Sequence, residues 1–234
     1  MKKVSPNGNM YSFVTHTWNP VKGTCPYGCH YCYVNKWGND PIPLRLDERE
    51  LRANLGEENF IFVYSGCDLF HPSVSDFWIA QVICQARNYQ QNKYLLHTKN
   101  PSRLLELAHR GYSWPGESII CVTIESDIWH PQMGNAIDPG IRLVELPKIG
   151  DKKMITIEPV MEMQFIPGFA DMILRCKPIQ VNIGADSCGN NLPEPSRADL
   201  EELIELLAPH TKVHLKKNLR RILPTHRLYN MEVL

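Results

Sequence analysis

The chain has 234 residues, enough for one sizeable core and short for two full domains, so we expect a single domain over residues 1–234. Lys and Arg together number 25, as do Asp and Glu, so net charge argues neither for nor against a nucleic-acid partner. The sequence opens without a secretory pattern and has no apolar run long enough to cross a bilayer, so we expect a cytoplasmic protein without a membrane partner. Eight cysteines in such a chain indicate metal binding or reactive thiols before disulfides.

Seven short apolar runs predict β-strands. They are rich in Val, Ile, Phe and Tyr, and most lack strict alternation, as strands buried on both faces do. In chain order the runs are 11–18, 60–64, 93–97, 118–124, 153–157, 179–184 and 212–216.

Helical patterns lie between these runs. Ser75 is placed to cap the first of them. A second opens at Asn100 and Pro101, since proline is favoured in the first turn of a helix. In a third, Ser196 and Asp199 resemble a capping box ahead of an apolar stripe.

Alternating strands and helices predict an α/β fold, with parallel strands joined by right-handed crossovers and helices packed outside. A closed eightfold barrel typically needs about 250 residues, so an incomplete TIM-like barrel fits this length better. The alternative is an open doubly wound sheet, but no GxGxxG follows a predicted strand.

Ionisable side chains follow six of the predicted strands at the same end. Loops at the carboxyl ends of parallel strands converge over the mouth of a barrel. Because charges of both signs lie at this end, a polar ligand in the mouth explains them better than six strand ends that are each independently solvated. The residues are Asp68, Lys99, Glu125, Glu158, Asp186 and Lys216 or Lys217, the last pair being the most readily explained as solvated.

Three cysteines crowd the loop 24–33, which follows the first predicted strand. Cys25, Cys29 and Cys32 could hold zinc or an iron–sulfur cluster. Zinc would need a fourth ligand such as His16, His30 or Cys67. Three thiolates at this spacing instead suit a cubane cluster with one iron left without a protein ligand.

The stretch CPYGCHYC, with Tyr31 directly before its third cysteine, resembles the signature of the radical S-adenosylmethionine (radical SAM) superfamily. The resemblance implies a partial (β/α)6 barrel and a 4Fe–4S cluster held by Cys25, Cys29 and Cys32. It implies that the open iron chelates S-adenosyl-L-methionine, which the reduced cluster cleaves to a 5′-deoxyadenosyl radical. It also implies a reductant such as flavodoxin or ferredoxin.

Further stretches are similar to a phage- and prophage-associated branch of the superfamily, which has no generally assigned reaction. They are TWNP, DLFHP, LLHTKNP, TIEP and VNIGADS, spread over residues 15 to 217. The resemblance therefore indicates the class of chemistry and leaves the substrate open, with a nucleic acid, a nucleotide or a peptide as alternatives.

The resemblance gives roles to residues around the cofactor. Tyr31 is expected near the adenine. Lys99 is suited to the methionine carboxylate, Glu125 to the ribose hydroxyls, and Gly184 to a close backbone approach to the adenine.

After the second strand, the superfamily usually carries a Gly-Gly-Glu-like element that binds the methionine amino group. This chain has SGCD there, so Ser65, Gly66 and Asp68 are the candidates for that contact. Cys67, in the same stretch, is either a small buried core residue or a hydrogen-atom donor facing the radical. Glu158 is either a strand terminator or a group that orients cofactor or substrate.

The remaining features have structural and functional interpretations. Cys84, Cys121 and Cys176 are expected in the core. The basic extension 214–234 is either a solvated final helix or a phosphate-contacting patch. That patch motivates the rival hypothesis, a non-enzymatic nucleic-acid-binding module with structural zinc.

Overall fold

The computed structural model describes residues 1–5, 10–38, 40–150 and 152–230, and the last four residues of the basic extension lie outside that part. The strands in it are β1 (Lys2–Lys3), β2 (His16–Trp18), β3 (Val21–Lys22), β4 (Arg45–Leu46), β5 (Phe60–Val63), β6 (Lys93–Thr98), β7 (Glu117–Thr123), β8 (Lys152–Ile157), β9 (Gln180–Ile183) and β10 (Lys212–Leu215). The α-helices are α1 (Glu48–Leu51), α2 (Asp76–Arg87), α3 (Pro101–His109), α4 (Pro139–Glu145), α5 (Ile166–Arg175) and α6 (Arg197–Leu207). Within the described residues, no helix is both long and apolar enough to span a membrane.

One sheet carries the fold, in the order β1-β2-β5-β6-β7-β8-β9-β10, while β3 and β4 form a separate antiparallel pair. All neighbours in the large sheet are parallel except β1, which is antiparallel to β2. Each crossover adds its strand beside the preceding one, so the order never reverses. The doubly wound alternative is therefore wrong, because that topology has a reversal point.

The predicted α/β class with a mostly parallel sheet is confirmed. The sheet is open, since β1 and β10 are its two ends. The finer description as a partial (β/α)6 barrel stays a prediction, as does the assignment of residues 1–234 to one domain.

All seven predicted strands are present, but the first is shorter than predicted. The run 11–18 yields only His16–Trp18, because residues before it turn back on themselves, with the Val14 amide donating to the Tyr11 carbonyl at 3.0 Å. Tyr11 and Val14 are buried against one face of the sheet, with Leu95 and Cys121. The other face packs on the helices. Burial on both faces explains why the strands lack alternation.

The predicted helix starts are confirmed by their caps. Ser75 accepts from the Trp78 amide at 3.3 Å, Asn100 accepts from the Arg103 amide at 3.2 Å, and Ser196 with Asp199 forms a reciprocal capping box. Such caps satisfy amide groups that the first helical turn leaves unpaired.

The three cysteines predicted to lie in the core differ in their burial. Cys121 and Cys176 are buried, as predicted, but Cys84 is exposed. It lies on the outer side of α2, whose Val82, Ile83 and Ala86 are buried instead. A cysteine on an amphipathic helix is buried only if it falls on the apolar stripe.

Leu203 and Leu206 on α6 offer a matched test of this packing. Leu203 is fully buried, whereas Leu206 is 37% exposed. We expect Leu203→Ala to lower the free energy of unfolding by about 2–5 kcal/mol. Leu206→Ala should cost less than about 1 kcal/mol, because it leaves a much smaller cavity. Urea denaturation measures both, and equal losses would contradict the described burial.

Candidate functional site

The cysteine loop folds as two successive turns after β3. The Gly28 amide donates to the Cys25 carbonyl at 3.3 Å, and the Cys32 amide donates to the Cys29 carbonyl at 3.1 Å. Cys29 is buried in a small apolar cluster, and Cys25, Tyr31 and Cys32 pack against that same cluster. The local turns thus bring the three cysteines into one packed unit.

The connection between β7 and α4 is hydrogen-bonded to this loop. The His30 amide donates to the Gln132 carbonyl at 2.9 Å, and the Asn135 amide donates to the Tyr27 carbonyl at 2.7 Å. Gly134 lies between them with a φ of +62°, and a Cβ there would come within 2.4 Å of the Tyr27 carbonyl oxygen. Glycine is required because the two backbones meet without room for a side chain.

Glu125 is the electrostatic centre of the site. It follows β7 and is completely buried, with Lys99 Nζ 2.7 Å from its Oε1 and Arg142 Nη1 2.7 Å from its Oε2. The Tyr31 hydroxyl also donates to Oε1. Burial opposes ionisation of this carboxyl, but Arg142 and Lys99 outweigh it and hold its pKa well below the usual range.

This network bears on two predicted cofactor contacts. Lys99 remains 16% exposed, so its ammonium can reach a second anion while it pairs with Glu125. Glu125 has three donors already and no exposed surface. The contacts predicted for Lys99, Glu125 and Tyr31 stay predictions, although the structure brings the three side chains together.

The turn after β5 is held from two sides. Asn19 of the TWNP stretch accepts from the Ser65 amide at 2.7 Å and from the Gly66 amide at 3.3 Å. The Tyr33 hydroxyl donates to the Ser65 carbonyl. Asp68 accepts from the Lys99 amide at 2.7 Å, from the Phe70 amide and from the Thr98 hydroxyl. Its carboxylate therefore joins the ends of β5 and β6.

Cys67 lies against Cys25. The neighbouring Cys67 thiol lowers the pKa of Cys25, and the same interaction, with burial, raises the pKa of Cys67. Burial raises the pKa of Cys29 and of Cys32. The shift at Cys25 is in the direction that favours a thiolate, the form that binds a metal.

In the described part of the chain, no group of three or more His, Cys, Asp or Glu side chains is placed to hold a single metal ion. A tetrahedral zinc with bonds of about 2.3 Å would draw its sulfurs to within about 3.8 Å of one another. A cubane cluster binds each thiolate at a separate iron and does not require this.

A second polar group lies after β8, β9 and β10. Glu158 Oε2 is 2.7 Å from Lys216 Nζ, and Glu158 Oε1 accepts from Asn218 Nδ2 at 3.3 Å. A Cβ on Gly184 would come within 2.9 Å of Glu158 Oε1. Gly184 therefore makes room for this carboxylate, and its predicted approach to an adenine stays a prediction. Asp186 instead organises its own loop, accepting from the Cys188 amide at 3.0 Å.

Three cations in the described part of the basic extension make contacts within the chain. Lys216 is buried, contrary to the expected solvated end, because it pairs with Glu158 and lies 4.9 Å from the Tyr11 ring. Arg220 stacks on Tyr229 at 4.1 Å, and Arg221 pairs with Glu194. These contacts favour a structural role over a phosphate-binding patch.

Residues 9–163 match the model of a family described as a protein of unknown function, DUF5131. The chain belongs to this family. The match spans the cysteine loop and the Glu125 network, so both lie in the part of the chain that defines DUF5131. A comparison with curated proteins found no match.

Among solved structures, this DUF5131 chain is similar to spore photoproduct lyase. A mutant of that lyase with a dinucleoside spore photoproduct matches at a TM-score of 0.50 and 11% identity, covering 82% of this chain and 60% of the lyase. Another mutant, with bound AdoMet and the dinucleoside, matches at a TM-score of 0.49 and 12% identity, covering 83% and 61%. This chain thus spans less than two thirds of the lyase, and at this identity the likeness concerns the fold alone.

Sequence reasoning missed several residues of the site. Arg142 lies on a short helix that gave no polar signal, and Gly134 is a single glycine in a loop. Asn19 was visible only as part of the TWNP stretch. Tyr27 and Asn218 gave no signal of their own.

Gly134→Ala tests the close approach between the two backbones. Gly189 provides the control, since its φ of +69° is similar but a Cβ there meets nothing within 4 Å. We expect Gly189→Ala to lower the free energy of unfolding by about 1 kcal/mol through backbone strain alone. Gly134→Ala should cost about 1–3 kcal/mol more, because its Cβ overlaps the cysteine loop. Thermal and urea unfolding measure both, and equal losses would show that the loops are not in contact.

Proposed function

We propose that this member of the DUF5131 family is a radical SAM enzyme. The observation that carries the proposal is a Cys-x3-Cys-x2-Cys loop packed as one unit beside the buried Lys99–Glu125 pair, at the carboxyl end of a mostly parallel sheet. In this proposal Cys25, Cys29 and Cys32 hold a 4Fe–4S cluster, and S-adenosyl-L-methionine binds beside it. The donor set fits, because three thiols without a disulfide partner lie together and one has a lowered pKa.

Bound there, the cluster and S-adenosylmethionine would supply reductive cleavage of the sulfonium and a 5′-deoxyadenosyl radical. Lys99 would hold the methionine carboxylate, and its shared bond to Glu125 keeps the ammonium in place before the ligand arrives. Tyr31, fixed by the same carboxylate, would lie near the adenine. Glu125 and Gly184 are proposed for the ribose and the adenine.

The turn after β5 would receive the methionine amino group. The Ser65 carbonyl already accepts from Tyr33, so Gly66 offers the less encumbered carbonyl of the two. A Cβ on Gly66 would meet nothing within 4 Å, so this turn leaves room for a ligand. Asp68 would act by fixing the turn against β6, because its carboxylate is buried among amide and hydroxyl donors.

Cys67 and Glu158 are the proposed catalytic side chains. A raised pKa keeps Cys67 as a thiol, the form that has a hydrogen atom to donate. Glu158, fixed by Lys216 after the neighbouring strands, would orient the substrate from the other side of the mouth.

A nucleic acid or nucleotide is the substrate class to test first. The lyase with a similar fold holds a dinucleoside photoproduct, and this supports a substrate of the same class here. The reaction would take place in the cytoplasm with electrons from a flavodoxin or ferredoxin. The partial (β/α)6 barrel belongs to the same proposal.

Anaerobic reconstitution tests the proposal directly. The protein is loaded with iron and sulfide, reduced with dithionite and given S-adenosylmethionine, and 5′-deoxyadenosine is measured by chromatography. We expect the wild type to form it and Cys29→Ala to form only background, because one of three cluster ligands is gone. Cys84→Ala is the control, since that cysteine is exposed on α2.

Two results would overturn the proposal. One is a cluster-loaded wild type that forms no 5′-deoxyadenosine. The other is anaerobically purified protein that contains one zinc and no iron, which would support the rival nucleic-acid-binding module.

A further inference from the structure

Tyr27 lies within the cysteine loop, between Cys25 and Cys29, and is only 3% exposed. Its hydroxyl oxygen is buried and has no hydrogen-bond partner among the described residues. The backbone of this residue is well fixed, since its carbonyl accepts from the Asn135 amide, and its ring packs edge-on against His71 at 4.5 Å. The unpartnered hydroxyl is therefore not a consequence of a loosely held side chain.

Arg142 presents a second unpartnered donor. The side chain is fully buried, with Nε donating to the Ile137 carbonyl at 2.5 Å and Nη1 donating to the Thr123 carbonyl and to Glu125, each at 2.7 Å. Nη2 is buried and has no partner in the described part of the chain. A buried charged donor is seldom left unpaired, because it loses its hydration without compensation.

Both donors belong to the surroundings of the cysteines. Arg142 Nη1 is 2.7 Å from Glu125 Oε2, and the Tyr31 hydroxyl of the cysteine loop donates to the other oxygen of the same carboxylate. Tyr27 also packs in the same apolar cluster as Cys29. A hydroxyl and a guanidinium N–H thus lie unused in the region where anionic sulfur would be bound.

We propose that Tyr27 and Arg142 are positioning residues that donate hydrogen bonds to the anionic sulfurs of a cluster bound by Cys25, Cys29 and Cys32. This inference rests on the proposed function, since it requires that cluster. One-electron reduction by an external reductant adds negative charge to the bound group. Hydrogen bonds to its sulfurs stabilise the reduced form more than the oxidised form, so these donors raise the reduction potential.

Tyr27→Phe tests the inference, because it removes only the hydroxyl and keeps the ring. The midpoint potential is measured by an EPR-monitored redox titration of the reconstituted protein. We expect the variant to have a more negative potential than the wild type. The cluster-free variant should be at least as stable to heat as the wild type, since no protein hydrogen bond is lost.

Tyr94→Phe is the matched control. Tyr94 is also fully buried, but its hydroxyl donates to the carbonyls of Ala86 and Tyr89, both at 3.0 Å, away from the cysteine loop. We expect this variant to lose thermal stability and to keep the wild-type potential. Arg142→Lys, which retains a charge beside Glu125 but lacks Nη2, should shift the potential in the same direction as Tyr27→Phe.

The outcomes separate the inference from the function. A wild type that assembles no cluster would remove the proposed function itself. A wild type with a normal cluster and a Tyr27→Phe variant of identical potential would overturn only the inference. So would a cluster-free Tyr27→Phe protein destabilised as much as Tyr94→Phe, because the hydroxyl would then have a protein partner.

Discussion

The buried carboxylate of Glu125 is the constraint on which the candidate site depends. It joins three separate segments: the end of β6 through Lys99, α4 through Arg142, and the cysteine loop through Tyr31. Removing one partner of such a buried pair typically costs about 3–5 kcal/mol, because the other charge is left uncompensated. The position of the cysteine loop over the sheet is thus fixed by electrostatics as well as by its own turns.

Charges of opposite sign also pair with one another near the other strand ends. Lys99 and Arg142 share the carboxylate of Glu125, Lys216 pairs with Glu158, and Arg221 pairs with Glu194. The charged groups at these strand ends are therefore already oriented by their partners. Little reorganisation is needed to bind an amino acid group there.

The sequence predicted what depends on local pattern, namely seven strand positions, three helix caps and the cysteine loop. It could not predict contacts between residues far apart in the chain. Asn19 holds a turn 46 residues away, and Arg142 reaches back 17 residues to Glu125, and neither has a periodicity or a motif that signals this. Tyr11 illustrates the same limit, because its run has strand-like composition and yet folds against the face of the sheet.

The contact between Cys25 and Cys67 has opposite consequences for its two members. The contact lowers the pKa of Cys25 and raises the pKa of Cys67. That division requires the turn after β5 to stay close to the cysteine loop. Asn19 holds one side of the turn by accepting hydrogen bonds from the backbone amides of the turn. Tyr33, which follows the last cysteine of the loop, holds the other side by donating to the Ser65 carbonyl. The two proposed sulfur chemistries therefore depend on the same pair of hydrogen-bonded loops, and loosening the turn would impair both at once.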